Sequence, residues 1–402
     1  GERGRLSLAK LILSPCNLLI LDEPTAQLDP ITASDFMNTL YRLNQDFSLT
    51  ILLSEHRLED ALPHADKLLV MENGRLTADG EPHKVIAEMR DNAELICGMP
   101  SASRIYLELG AKGECPLSVR EGKRFIQRYK NEIRQTEIKE YTHSKNKALE
   151  MKDVYFRYER NLPDILSGLD LTVYEKEFFC ILGGNGSGKT TTLSVASGIK
   201  KAISGKIEIF GKNIRSYKNQ SLYRECVALL PQDVQMLFLC NTVREELEDA
   251  QCSAETLPFD LSALMEQHPY DLSGGEQQLL ALAKVLAQKP KLLLLDEPAK
   301  ALDSASKRRL AEVLLKLRDS GMTIVAVTHD VEFASEYADR CAMFFRGKIV
   351  SQGEPKQFFS ENSFYTTAVS RMTREMYSNA VTVSDAVKLC RINGLKGTEN
   401  DT

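Results

Sequence analysis

A run of eight residues, from Gly183 to Thr190, has the composition and spacing of a phosphate-binding loop. It reads GGNGSGKT and fits the pattern G-x-x-x-x-G-K-[ST], between a predicted strand and a predicted helix. Glycines let successive backbone N–H groups point at phosphate oxygens, and a helix N-terminus adds a favourable dipole. We predict that Lys189 reaches the terminal phosphates and that the Thr190 hydroxyl ligates Mg²⁺. The nucleotide contacts predicted here come from Gly183, Asn185, Gly186, Ser187, Gly188, Lys189, Thr190 and Thr191.

Two carboxylates follow the apolar run at residues 292–295, which is predicted to be a buried strand. Asp296 is expected to hold Mg²⁺ through water, and Glu297 to orient and deprotonate an attacking water. Taken alone, such a pair is equally typical of a solvated strand end. It gains weight because it follows a phosphate loop and because the same pair recurs as Asp22-Glu23.

The chain contains a long-period repeat. Residues 1–30 match residues 275–304 at a spacing of 274, which aligns Glu23 with Glu297; further along, a spacing of 273 aligns His56 with His329. A repeat of this length indicates two copies of a whole domain. The first copy would need a phosphate loop ahead of residue 1, and the chain starts with Gly. We therefore expect the C-terminal part of a longer tandem protein.

Composition narrows the class of protein. A length of 402 residues predicts two to three domains, and 43% hydrophobic residues can supply sizeable cores. The net charge of −5 gives no electrostatic reason to expect nucleic acid as a partner. Nine scattered cysteines without a C-x-x-C pair favour buried thiols in a reducing compartment. No apolar run approaches the roughly 20 residues of a membrane-spanning helix.

The pattern predicts an α/β architecture in four segments: the C-terminal part of a first domain at 1–95, a connecting region with a charged linker at 96–148, a complete second domain at 149–362, and a helical extension and tail at 363–402. Residues 240–270 are predicted to be mostly helical, and Thr382 to Asp385 to form a helix capping box. Predicted strands lie at 18–21, 50–54, 67–71, 151–158, 165–173, 178–182 and 206–210, and predicted helices at 5–13, 31–44 and 190–197.

The stretch Leu272-Ser-Gly-Gly-Glu-Gln-Gln278 resembles the signature of ATP-binding cassette (ABC) ATPases. The resemblance implies a P-loop NTPase fold with a helical subdomain, present here as tandem copies of which the first is incomplete. It also implies ATP and Mg²⁺ as cofactors, and domains that pair face to face around two ATP molecules. The implied roles are adenine stacking by Tyr158, sensing of Mg²⁺ and the γ-phosphate by Gln232, contact with the γ-phosphate across the interface by Ser273, Gly274 and Gly275, a position in the interface loop for Asp303, and γ-phosphate contact by His329. Through the repeat, Glu23 and His56 take the corresponding roles in the first copy.

Each role has a plainer alternative. Tyr158 also fits a half-buried strand aromatic, and a lone His329 would fit a core histidine, although its recurrence as His56 weighs against that.

Softer patterns narrow the resemblance to the fused, two-domain ATPase of energy-coupling factor (ECF) transporters. That resemblance implies a peripheral location on the cytoplasmic face of the plasma membrane. It also implies two partners, a transmembrane T-component bound near residues 232–246 and a substrate-binding membrane component, which together import a vitamin or a transition-metal ion. The patterns that carry it are residues 164–166, 230–232, 242–247, 268–273, 54–60 and 379–383.

Three features depart from the family pattern. Ala299 stands where the family usually has Thr, which Thr25 keeps in the first copy. The first signature survives only as Gly1-Glu2, followed by Arg3-Gly4, and the stretch between Gln232 and Ser273 is short. Because neither normal site is complete within this chain, we expect two chains to pair through their second domains.

Three other classes stay open. A fused ATPase of another importer, such as one for sugars, often has a degraded second domain, whereas Glu297 and His329 are present here. A soluble tandem ABC protein acting on ribosomes would have a long, helical, basic linker, but residues 128–148 are mixed in sign. DNA-repair cassette proteins tend to carry zinc-binding cysteine pairs. The sequence does not identify the cargo, because specificity in such systems lies in another polypeptide.

Overall fold

The structure is a computed structural model that describes residues 16–26, 28–72, 74–90, 92–129, 142–218, 221–224, 226–362 and 365–394. The chain divides into two compact units: residues 1–138, 303–305 and 359–402 form the first unit, and residues 139–302 and 306–358 form the second unit. The predicted extension at 363–402 thus groups with the first unit, together with residues 359–362, which were predicted to belong to the second domain. The predicted helix at 5–13, the first-copy signature and the polar tail at 395–402 lie outside the described residues.

In the described part of the first unit, short strands form two separate pairs. Strands β1 and β2 run parallel, whereas β3 and β4 form an antiparallel hairpin. The elements are β1 (Leu18–Asp22), α1 (Pro30–Phe47), β2 (Thr50–Ser54), α2 (Leu58–Ala61), β3 (Leu68–Glu72), β4 (Arg75–Gly80), α3 (Pro82–Glu88), α4 (Ala93–Gly98), α5 (Ser101–Glu108) and α6 (Val119–Gln127).

The helices of the first unit enclose its main core. Helices α5 and α6 contribute the fully buried Ile105 and Ile126, and two C-terminal helices pack against them. The capping box at Thr382 is confirmed, since its hydroxyl accepts a hydrogen bond from the Asp385 N–H and the Asp385 carboxylate accepts one from Thr382. The C-terminal helices are those at Ala368–Thr373 and Val383–Gly394.

The second unit contains a six-stranded sheet in the order β10-β11-β12-β7-β13-β14, in which all pairings are parallel except that of β13 with β14. A second sheet has the order β6-β5-β8-β9. The elements are β5 (Lys147–Phe156), β6 (Leu166–Tyr174), β7 (Phe178–Leu182), α7 (Lys189–Ala196), β8 (Ser204–Ile209), β9 (Lys212–Asn213), β10 (Val227–Leu230), α8 (Val243–Asp249), α9 (Gly274–Leu286), β11 (Leu292–Asp296), α10 (Ser304–Asp319), β12 (Thr323–Thr328), α11 (Val331–Tyr337), β13 (Arg340–Phe345), β14 (Lys348–Gly353) and α12 (Pro355–Glu361).

Strands β7, β11 and β12 are buried along their whole length, as expected for central strands of a parallel sheet covered on both faces. They are neighbours, so their carboxyl ends meet at one edge of the sheet. Open α/β sheets bind their ligands at such an edge.

The predicted strands are confirmed to within four residues at either end. The prediction of a mostly helical stretch at 240–270 is wrong: α8 is the α-helix described there, and short 3-10 turns follow it at Ala254–Thr256, Ser262–Leu264 and Pro269–Asp271. Pro258 and Pro269 account for part of the difference, because proline lacks the N–H that a continuous helix needs.

Candidate nucleotide-binding site

Two glycines of the phosphate loop are required by space. A Cβ on Gly183 would lie 2.6 Å from the Phe344 carbonyl oxygen, and one on Gly188 would lie 2.9 Å from Ile165 Cγ2. Gly188 also has a φ of +110° as the residue that precedes α7. The loop therefore packs its backbone tightly while its N–H groups approach the start of the helix, which is the arrangement that binds phosphate.

The side chains of the loop are placed for an anionic ligand. Lys189 is buried, and its Nζ donates hydrogen bonds to the carbonyl oxygens of Gly183 at 2.8 Å and Gly184 at 3.1 Å. The Ser187 hydroxyl is buried, and no hydrogen-bond partner among the described residues reaches it. Gly186 faces open space. A buried hydroxyl without a partner requires an acceptor, and a phosphate oxygen supplies one.

Two of the three residues predicted to contact magnesium lie together. The Thr190 hydroxyl, at the start of α7, donates to Oδ1 of Asp296, at the end of β11, over 3.0 Å. Burial raises the pKa of Asp296 to about 6, against the lowering effect of the Thr190 hydrogen bond, and the neighbouring Glu297 charge raises it further. These are hard oxygen donors, which suit Mg²⁺. Among the described residues no cluster of three or more acidic, His or Cys side chains could hold a metal ion.

Glu297 adopts a strained backbone conformation directly after β11. Its φ is +51°, and its side chain is buried. Oε2 accepts a hydrogen bond from the His329 N–H at 3.2 Å and lies 2.9 Å from His329 Nδ1, a contact whose angle is not that of a hydrogen bond. Oε1 lies 3.8 Å from Lys189 Nζ. The structure thus brings the predicted base, the predicted γ-phosphate contact and the phosphate-loop lysine to one point.

Tyr158 and the signature occupy other parts of the second unit. The Tyr158 ring is 53% exposed, its hydroxyl is 3.0 Å from the Thr191 hydroxyl, and Lys200 Nζ lies 4.7 Å from the ring centroid. An exposed ring beside the phosphate-loop helix suits stacking on a base better than packing in a core. Lys200 was not predicted as a site residue, although a lysine four residues after the phosphate-loop helix was a usable signal.

Ser273 precedes α9 as its N-cap. Its hydroxyl bonds with the Glu276 carboxylate at 2.7 Å in a capping box, and a Cβ on Gly275 would lie 2.7 Å from Ser306 Oγ, whereas Gly274 has room. The serine hydroxyl and the helix N-terminus are therefore exposed at one point of the surface.

Two further predicted site residues, Gln232 and Asp303, also lie outside the cluster. Gln232 is exposed after β10, and none of the hydrogen bonds of the described residues joins it to Thr190 or Asp296. Asp303 is partly buried just before α10 and belongs to the first unit.

The first unit repeats the Glu–His pair. His56 Nε2 lies 2.8 Å from Glu23 Oε1, Glu23 has a φ of +42°, and the Ser54 hydroxyl donates to Asp22 Oδ1 at 2.8 Å. These side chains are more exposed than their counterparts: Glu23 and His56 are 35% and 41% exposed, against 7% and 10% for Glu297 and His329.

None of the described helices combines the length and the apolar character needed to cross a membrane.

Comparisons with known proteins place this site in a family. The family model for ABC transporters matches residues 166–300. A putative ABC transporter ATP-binding protein of Bacillus cereus is 38% identical over 407 residues, covering 97% of this chain and 72% of the relative. One of Clostridium tetani is 29% identical, covering 98% of this chain and 90% of the relative. The chain belongs to the ABC transporter ATP-binding proteins.

Solved structures give more partial matches. The structure of cbiO1 from Clostridium perfringens, described as part of the ABC transporter complex cbiONQ, is 26% identical over 54% of this chain and 92% of its own, with a TM-score of 0.48. The cassette MJ0796, solved as a dimer in a post-hydrolysis state with ADP and Pi, is 24% identical over 52% of this chain and 98% of its own, with a TM-score of 0.44.

Membership in this family confirms the resemblance to ABC ATPases, and with it the fold, the ATPase activity and the cofactors. The chain is an ABC ATPase with the P-loop NTPase fold, and it binds ATP and uses Mg²⁺ as is usual for the family. ABC ATPases pair as dimers and work with membrane components.

Proposed function

We propose that this chain is the ATPase of an ECF-type importer, bound at the cytoplasmic face of the plasma membrane to a transmembrane T-component. A separate membrane component would bind the cargo, a vitamin or a transition-metal ion. The observation that carries the membrane assignment is a patch of exposed apolar side chains in the segments that precede α8 and α9, which we call the docking patch.

The docking patch consists of Met236, Leu239 and Tyr270, which are 71%, 82% and 52% exposed. They belong together: the Tyr270 hydroxyl donates to the Gln235 carbonyl oxygen at 3.4 Å, and its ring packs edge-on against Phe238 at 6.4 Å. Large apolar side chains grouped at the surface indicate an interaction site. An apolar patch favours a protein segment from a membrane partner over the phosphate backbone of ribosomal RNA, which basic residues would contact.

For hydrolysis, we propose that Lys189 and the loop amides bind the β- and γ-phosphates and that Tyr158 stacks on adenine. Mg²⁺, held by Thr190 and Asp296, would supply charge neutralisation at the phosphates. Glu297 would orient and deprotonate the attacking water. Buried residues at this point exclude bulk water, and the Glu297–His329 contact fixes both side chains. The signature of an opposed cassette would close the site through Ser273, Gly274 and Gly275.

We also propose that the first unit is a second copy of the cassette. Its hairpin pairs Leu68 with Gly80 and has a register shift after Val70, and the hairpin of the second unit pairs Cys341 with Gly353 and has its shift after Met343. Each of these positions is related by the spacing of 273. The two hairpins have the same register and a bulge at the equivalent position, which supports a duplicated domain.

The strands of the first unit also expose side chains whose counterparts are buried. Leu18 and Leu52 are 52% and 48% exposed, whereas their counterparts Leu292 and Val325 are 0% exposed. In the second unit β7, the strand before the phosphate loop, pairs with both β12 and β13. A complete first copy would have such a strand between β2 and β3, carrying a second phosphate loop.

The test is affinity purification of the protein from detergent-solubilised cells, with mass spectrometry of the proteins that accompany it. A small polytopic membrane protein in stoichiometric amount supports the proposal, and the companion membrane protein identifies the cargo class. Ribosomal proteins without a membrane partner would move the assignment to the translation-factor class, and a sugar permease would move it to another importer.

A variant makes the purification specific to the docking patch. Leu239→Glu should lose the membrane partner, while Val350→Glu, at a 58% exposed position in β14, should keep it. Equal loss in both variants would contradict docking at this patch.

A further inference from the structure

Helix α9 contacts the segments that carry the docking patch through two polar side chains, Gln277 and Lys284. Gln277, four residues after Ser273, accepts a hydrogen bond on Oε1 from Gln235 Nε2 at 3.2 Å. Its own Nε2 donates to the carbonyl oxygens of Pro269 and Leu272 at 3.1 and 3.2 Å. One buried glutamine thus joins both segments of the patch to the start of α9.

The second contact is a buried ion pair at the other end of α9. Lys284 pairs with Glu246 of α8, and its Nζ also donates to the Leu237 carbonyl oxygen at 2.7 Å. Glu246, which is fully buried, accepts hydrogen bonds on Oε1 from the N–H groups of Leu239 and Cys240. The pair therefore fixes the backbone on both sides of Phe238, in the segment that presents Leu239.

A buried ion pair is costly to form, and an apolar pair of similar volume is often as stable. Stability alone therefore gives little reason for charges at 246 and 284. What the pair provides is directional. Lys284 binds the Leu237 carbonyl oxygen to α9, and Glu246 binds two further backbone groups of the same exposed segment to α8 while it is itself joined to α9 through Lys284. The same helix begins at Ser273, the residue expected to meet the γ-phosphate of the opposed cassette.

We infer that Gln277, Lys284 and Glu246 are positioning residues that couple the signature to the docking patch, so that closure on ATP moves the patch together with α9. The coupling to transport rests on the proposed function. Within the ATPase itself it predicts that ATP changes the environment of residues 234–238, far along the chain from the phosphate loop.

The experiment uses the full chain with Glu297→Gln to hold ATP. Glu246→Gln with Lys284→Met keeps an acceptor for the two N–H groups but removes the link to α9. The control, Glu248→Gln with Lys289→Met, changes two exposed residues of the same region. Hydrogen–deuterium exchange of a peptide covering residues 234–238 is measured with and without Mg²⁺-ATP. We expect at least a twofold change in exchange on adding ATP in the parent and control, and none in the variant with Glu246→Gln and Lys284→Met.

If the variant with Glu246→Gln and Lys284→Met responds to ATP as the parent does, the inference is overturned. Lys284→Arg, which keeps a cationic donor, should restore the response, and a merely space-filling role would not distinguish Arg from Met. If the variant with Glu246→Gln and Lys284→Met is not folded at the temperature of the measurement, Gln277→Met takes its place under the same expectation. Gln277→Met removes only the hydrogen bonds of the glutamine side chain.

The second readout is stimulation of ATP turnover by the co-purified membrane protein. Basal turnover of the variant without the Glu297 change should stay within about twofold of the parent, while stimulation is lost. If the parent captures no membrane protein, the proposed function fails, and the exchange experiment still decides whether α9 and the patch are coupled.

Discussion

The Thr190 hydroxyl donates a 3.0 Å hydrogen bond to Oδ1 of Asp296, across a sequence separation of 106 residues. The contact joins the phosphate-loop helix to the end of β11. It places these two predicted magnesium ligands beside Glu297. The second unit therefore brings Lys189, Thr190, Asp296 and Glu297 to one edge of the sheet.

Glu297→Gln should abolish most ATP turnover and keep ATP binding. The amide keeps the shape of the carboxylate but is not a base, and a positioned base typically contributes ~10²–10⁴-fold. Turnover is measured by phosphate release, and binding by titration with a fluorescent ATP analogue. Unchanged turnover would remove Glu297 from the role of base, and lost binding would indicate a structural role.

Gly183→Ala should damage the phosphate loop more than Gly211→Ala damages its own turn. The new methyl group would meet the Phe344 carbonyl oxygen at 2.6 Å, whereas a methyl group at Gly211 meets nothing within 4 Å and only strains a φ of +73°. Overpacking costs typically about 1–3 kcal/mol, and the left-handed conformation costs a residue with a Cβ roughly 1–2 kcal/mol. Thermal melting and ATP binding are measured for both.

Only Gly183→Ala should also weaken ATP binding, by about tenfold for each 1.4 kcal/mol lost. Equal ATP affinity in the two variants would contradict a tight loop at residue 183.

Specific ATPase activity of this chain should rise with protein concentration. ABC ATPases pair as dimers, and each second unit carries both a phosphate loop and a signature, so two chains can build two complete sites. Turnover per mole is measured over a wide concentration range, with Lys189→Ala as the inactive control. Activity per mole that is constant with dilution would rule out pairing between chains.

Glu59→Gln should stabilise the first unit at neutral pH. Burial raises the pKa of Glu59 above its ordinary value of 4.5, although hydrogen bonds from the Ser101 N–H and hydroxyl and the charge of Arg371 lower it. The second carboxylate oxygen is buried, and no partner among the described residues reaches it. Because the folded state binds the proton more tightly than the unfolded chain, wild-type stability falls as pH rises above about 4.5 and levels off above the folded-state pKa.

The gain in Tm from Glu59→Gln should accordingly be largest at pH 7.5 and vanish near pH 4. Glu81→Gln is the control, since Glu81 is exposed and pairs with Lys84, which lowers its pKa. This variant should lose a little stability at pH 7.5 and gain none. A gain that is independent of pH would show that ionisation of Glu59 is not the cause.

The sequence predicted the candidate site residues at the carboxyl edge of the sheet because they belong to short motifs, each with a recognisable pattern. The loop from Gly183 to Thr190 and the strand ending at Asp296 follow from composition and spacing, and the repeat identified the partner histidines. The link between Lys284 and Glu246 has no such signal, since the two residues are 38 apart on different helices and meet only after the turns between them have formed. The irregular 250–270 region was missed for the same reason, because part of its backbone bonds to residues distant in sequence, such as the Gln267 carbonyl oxygen to the Val243 N–H and the Pro269 carbonyl oxygen to the Gln277 side chain.

If α9 tilts as one body when the site closes on ATP, its two ends move by different distances. Eleven residues separate Ser273 from Lys284, which is about 16 Å at a rise of 1.5 Å per residue. A tilt of about 10° about the signature end would move the lysine end by about 3 Å. That displacement is as long as a hydrogen bond, so a membrane partner seated on Leu239 would be either carried along with the helix or released from it.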